Sequence, residues 1–163
     1  MLLLDRTGEI DDLWPRFGAE AALPDRGRAL VARERLEEAA ARPLELGLDI
    51  PNDADPAALA PWFGRLALIS VAFPSFADGR GFSLARRLRD LGFLGRLRAS
   101  GPVIADQFGY LLACGFDEVA VPDAVAGRQP AAQWLAQLTA VTLQYQRGLP
   151  GRGPILERRH GHA

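Results

Sequence analysis

Between Arg80 and Arg98 the stretch FPSFADGRGFSLARRLRDLGFLGRLRASG, residues 73–101, holds six arginines and one acid, in a chain without a single lysine. A guanidinium offers a planar fork of donors that grips carboxylate, sulfate or phosphate at two points, so this concentration behind glycines is the chemistry of anion recognition. Two loops carry it. The first, PSFADGRGFS, follows the apolar run LALISVAF and sets Asp78, Gly79, Arg80 and Gly81 ahead of a helix start that Ser83 can cap. Backbone N–H groups turned outward by glycine, the partial positive charge of a helix start, the Arg80 guanidinium and the Ser83 hydroxyl would then converge on one anion. The second, RASGPVIADQ, puts Ser100 and Gly101 between the next strand and the next helix. Consecutive parallel strands are usually neighbours, so the two helix starts would meet. The plainer reading of the same residues is that Asp78 and Ser83 only cap the helix and Arg80 forms a surface ion pair.

Other chemistry is thinner. Asp78 and Asp106 would supply a pair of carboxylates for acid–base work on a small anion, or would only answer the dipoles of their helices. The glycines 79 and 81 lack the third member that a dinucleotide fingerprint needs, at Leu84, and stand too far from the strand end. Both histidines, His160 and His162, lie in the terminal stretch GLPGRGPILERRHGHA, and the one cysteine, Cys114, suits a small buried apolar position. No metal site or cluster is expected, and without lysine there is no Schiff base and no Walker-type phosphate loop. A flavin held by backbone and arginine stays open at the helix-start site; otherwise no cofactor is expected.

The chain has 163 residues, 48% of them hydrophobic, enough for one domain with a real core. We expect a single α/β domain over 1–150 and a terminal tail over 151–163. Residues 1–63 hold seven arginines against thirteen acids and residues 64–163 twelve against seven, while the whole chain is near neutral. That balance argues against nucleic acid and for a local anion site or an acidic partner. The opening MLLLDRTGEIDD has neither a basic leader nor a long apolar run, so a cytoplasmic protein with no membrane association is expected.

These residues must be positioned by something. Five apolar runs, 28–32, 44–50, 65–73, 96–100 and 118–122, are bounded by Gly, Pro or Asp and read as strands. Helical patterns lie between and after them, at 33–41, 56–63, from Ser83 to Gly92, 102–114 and 130–147, and a hairpin could turn at Thr7-Gly8. Alternation of this kind predicts an open, mostly parallel sheet of about five strands with helices on both faces; a half-barrel of β/α units is the second choice. Either way ligands belong at the carboxyl ends of the strands. Trp62, Trp134 and Tyr145 read as packing.

The strings from Phe76 to Arg89, Leu97 to Gly101, Asp106-Gln107 and Cys114 to Asp117 resemble the hallmark F-x-D-G-R-G-[FY]-S-x-A-R-x-L-R, L-R-A-x-G, D-Q and C-G-F-D of the bacterial domain-of-unknown-function 934 family, often labelled "oxidoreductase probably involved in sulfite reduction". Two positions depart: Gly101-Pro102-Val103 stands where the family has Gly-Asp-Val, and Ala113 where it has arginine. The resemblance implies association with assimilatory sulfate and sulfite reduction. Taken with the two loops read above, the expectation is an accessory protein of that pathway that binds an oxyanion or nucleotide phosphate at Gly79, Arg80, Gly81, Ser83, Ser100 and Gly101. A second option is a non-catalytic adaptor whose Arg86, Arg87, Arg89 and Arg96 dock sulfite reductase or an acidic electron carrier. A third is an oxidoreductase or small-anion enzyme using Asp78 and Asp106.

Overall fold

The computed structural model describes residues 1–140. Eight strands form one sheet: β1 (Leu2–Asp5), β2 (Gly8–Glu9), β3 (Arg16–Phe17), β4 (Gly27–Ala32), β5 (Leu44–Ile50), β6 (Leu66–Ala72), β7 (Arg96–Ser100) and β8 (Glu118–Val121). Their order is β2-β1-β8-β7-β6-β5-β4-β3. From β3 to β8 every pairing is parallel, whereas β1 runs antiparallel to both β2 and β8. The five expected strands are β4 to β8, but the sheet is larger than five strands and partly antiparallel. The hairpin at Thr7 exists because Asp5 Oδ1 accepts from both the Thr7 N–H, at 2.7 Å, and its hydroxyl, at 2.6 Å. Leu2 and Leu4 then join the core beside β8. Strands of two residues, β2 and β3, are too short to show a period in sequence.

The sheet must curl. Glu9 and Arg16 occupy its opposite edges, and the seven Cα steps between them reach at most about 25 Å. The seven inter-strand gaps of a flat eight-stranded sheet would measure about 34 Å. The result is a half-barrel, with residues 10–15 strapped across its hollow. The strand order also rules out helices on both faces. Parallel strands laid down in one direction with right-handed crossovers keep every connection on the same side.

That side is the convex one. Short helices α1 (Leu36–Ala40), α2 (Arg80–Asp90), α3 (Phe108–Ala113), α4 (Asp123–Ala126) and α5 (Ala131–Ala140) lie there, with 3-10 turns at 33–35, 57–62 and 105–107. Alternate strand residues, among them Val31, Leu48, Ile69, Leu97 and Val119, pack with Leu36, Leu88, Leu111 and Trp134 in one cluster. Gly92 (φ +96°) and Gly115 (φ +109°) follow α2 and α3 as expected. Two helix starts differ from expectation. α2 begins at Arg80, so Ser83 is an exposed residue inside the helix and Gly79 holds the cap position without a side-chain bond. Asp78 makes that earlier start possible by accepting from the Arg80 N–H at 3.2 Å. The fourth pattern starts at 105 and not at Pro102, because Gly101 at φ +141° and the extended Ile104 delay the turn. Part of the fifth pattern and the whole 151–163 tail lie outside the described residues. No helix among the described residues is long and apolar enough to cross a membrane.

Candidate binding mouth at the carboxyl ends of the strands

The strand residues that face the hollow form three rows in register, as in a barrel interior. The lowest is apolar: Leu30, Gly47 and Leu68, with Arg96 at its end. Trp14 from the strap fills it, and Gly47 makes the room, since a Cβ there would lie 2.9 Å from Leu30 Cδ1 and 3.0 Å from the indole. The middle row is polar: Asp49, Ser70, Arg98, Glu118 and Asp5. The top row, Ala72, Ser100 and Ala120, is small and leaves an opening.

Arg98 anchors the middle row. Its side chain is 1% exposed, donating from Nε to Glu118 at 2.8 Å and from both Nη atoms to Asp12 of the strap at 3.0 and 2.9 Å. Burial pulls its pKa down, but the bonds to Asp12 and Glu118 more than offset this, and the net shift is upward. Arg96 shares Glu118 and faces Asp5 at 3.7 Å. Arg16, at the far edge of the sheet, pairs with Asp49 and donates to the Ser100 hydroxyl at 3.3 Å, so its side chain arches over the top of the cup. Beneath, Ser70 Oγ is buried and has no hydrogen-bond partner. Ser100 and Gly101 also border an open pocket of 340 Å³ with Ala120 and Pro122.

The outer rim is made by the loops after β5 and β6. Arg80 donates to Asp78 through Nε at 3.0 Å and Nη2 at 2.7 Å, and Asp53 stands 3.6 Å away. The Arg80 side chain is 58% exposed, that of Asp78 20%. The guanidinium, then the Asn52 amide, hold the Asp78 carboxyl well below the usual carboxylate range, and the same contact raises the Arg80 pKa. Asn52 is 5% exposed, and its side-chain amide points to the Asp78 carboxyl, the second cause of that group's shift. Gln107 knits the two loops together: Nε2 donates to the Phe76 carbonyl at 2.7 Å, and Oε1 accepts from Ile104 N–H at 3.2 Å.

The expected site residues thus separate. Gly79, Arg80 and Asp78 sit at the rim, and Ser100 at the cup on the neighbouring strand. Gly81 and Gly101 serve packing: a Cβ on Gly81 would lie 2.4 Å from the Phe73 ring, and one on Gly101 2.1 Å from the Phe73 carbonyl oxygen. Asp106 is exposed, with no hydrogen bond or ion pair to Asp78. The four arginines considered for docking do not share a face. Arg89 is an interior residue, donating to the carbonyls of Gly115, Phe93 and Gly95 and pairing with Asp117 at 2.7 Å. Arg96 is bound to Glu118, which leaves Arg86, stacked over Tyr110 at 5.5 Å, and Arg87 exposed on α2. Among the described residues no group of three or more His, Cys, Asp or Glu could hold a metal ion.

Sequence reasoning missed Arg16, Asp49, Asn52, Ser70, Arg98 and the strap's Asp12. A signal was present. In RLRAS polar residues recur at every second position, and ELGLD and ISVA set Asp49 and Ser70 inside strands that belong to a parallel sheet, where apolar runs are the rule.

Fold and site together define a curled α/β half-barrel with a charge-paired mouth at its strand carboxyl ends. The chain belongs to the family described as bacterial protein of unknown function (DUF934), whose model matches residues 47–156. No curated protein and no solved structure matches the chain.

Proposed function

We propose that this is a small-ligand binding protein accessory to sulfite reduction, and that its ligand carries an oxyanion group seated at the rim. The observation that carries this is the Arg80 guanidinium, which remains more than half exposed at the start of α2 after Asp78 has taken one of its edges. The first turn of α2 adds favourable partial charge. The sulfur context rests on the resemblance of the strings from Phe76 to Asp117. The reading is of binding and not of proton transfer, because Asp78 is held ionised by Arg80 far below neutral pH. Isothermal titration with sulfite, sulfate, phosphate and adenylyl sulfate tests it. At least one should bind the wild type and lose affinity in Arg80→Ala; undiminished binding by that variant removes the reading.

A further inference from the structure

A second recess lies among the loops after β6, β7 and β8 and the start of α5. It measures 410 Å³, and its walls share no residue with the rim group of Asn52, Asp53, Asp78 and Arg80. Phe76, Pro102, Ile104 and Val125 give it an apolar side. Val125 is rooted in the main core, while the Phe76 side chain stays 53% exposed. Arg128, Gln129 and Gln133 give it a polar side, and no carboxylate of a described residue is among its walls. A concavity of this size, mostly apolar with a few convergent polar groups, is where proteins hold small molecules.

The polar side offers donors. Arg128 Nε donates to the Ala124 carbonyl at 3.0 Å, which orients the guanidinium, and among the described residues neither Nη atom has a hydrogen bond or an ion pair. Gln129 is held at both ends: its Oε1 accepts from the Ala105 N–H at 2.9 Å and its carbonyl from Trp134 Nε1 at 3.0 Å, so its Nε2 is left to donate. The Phe76 backbone is fixed in turn by Gln107 Nε2 at 2.7 Å. An oriented arginine fork with no acid opposite it selects an anionic group, and an uncovered ring beside it selects an apolar body. We propose that this recess binds an aromatic acid, a small molecule with one flat ring and one acidic group. The acidic group accepts from the Arg128 Nη atoms and Gln129 Nε2, and the ring lies against Phe76 and Val125. The site stands apart from the Arg80 rim and does not rest on the binding role proposed for it.

The test titrates the full chain with 3-phenylpropanoate and with 3-phenylpropanol, which share the ring and differ in the acidic group. It is read by NMR at the backbone amides of residues 103–105 and the side-chain amides of Gln129 and Gln133. These signals should shift and saturate with the acid, and the alcohol should bind at least about tenfold more weakly, the worth of one charged hydrogen bond. Arg128→Gln and Phe76→Ser, both at exposed positions, should fold as the wild type does by circular dichroism. The first should reduce the preference for the acid to about twofold or less, the second should weaken both probes at least about fivefold, and Arg80→Ala should change neither. No shift of these signals at about 10 mM 3-phenylpropanoate overturns the inference, as does an undiminished preference for the acid in Arg128→Gln. Shifts confined to residues 78–80 that vanish in Arg80→Ala overturn this recess as the site while supporting the rim.

Discussion

Gly101 combines φ +141° with a Cα pressed toward the Phe73 carbonyl, where a side chain would meet the oxygen at 2.1 Å. Gly101→Ala should therefore cost about 2–4 kcal/mol, from backbone strain plus displacement of the β6 end, measured by urea unfolding. Gly79→Ala is its control: φ is −78° and open space surrounds the position, so stability should change by no more than about 0.5 kcal/mol. Read as letters, Gly79, Gly81 and Gly101 looked alike, as backbone donors around an anion. Their differences lie in what stands opposite them, the Phe73 ring and carbonyl, and a one-dimensional string does not carry that. Asp78 supplies a prediction with a sign. Its folded pKa is depressed, by Arg80 first and Asn52 second, so its contribution to stability is present above the ordinary carboxylate pKa of about 3.9 and is lost as pH falls below that toward the folded value. Side-chain carboxyl NMR should find Asp78 still ionised at pH 3, and Arg80→Ala should move its titration upward toward the ordinary range.

At the level of elements, the strap of residues 10–15 is the one that periodicity could not announce, since it has neither a helical nor a strand pattern. It works through two side chains. Trp14 covers Leu30 and Leu68, and Asp12 closes the charge of Arg98. Trp14→Ala should cost about 3–5 kcal/mol, the usual scale for emptying a buried aromatic position, and should lower the midpoint of chemical unfolding accordingly. Strands and helix faces were legible because each had a full period of apolar residues to display: β4 to β8 fall where the runs fall, and Leu84 and Leu88 of α2 face the core. The start of α2 was misplaced because Ser83 and Asp78 are both good caps, and only the fold decides that Asp78 bonds the Arg80 N–H. The arginine-rich strings have an element-level meaning too. Arg89 ties α2 to the loops after Phe93 and after Cys114, and its partner Asp117 also accepts from Leu97 N–H at 2.8 Å. Much of the charge that suggested a ligand is internal fastening.

Over the whole molecule, the parallel core from β4 to β8 was readable from alternation, while the closure of the sheet was not. β1 pairs with β8, at the far end of the described chain, and two-residue strands finish the edges. Curvature follows from the short strap, so it needed the strand order before it could be derived. This pairing of first strand with last has a consequence for the chain while it is being made. Leu2 and Leu4 leave the ribosome before the strand that buries them, which starts at Glu118 and is made more than a hundred residues later. At about 5–20 residues per second of synthesis the apolar hairpin waits roughly 6–25 seconds without its neighbour. Nascent chains stalled before β8 should remain sensitive to protease across β1 and β2, and chains stalled with β8 well clear of the exit tunnel should become resistant. The hairpin of β1 and β2 gains its shelter when β8 is made, and not when the hairpin itself is.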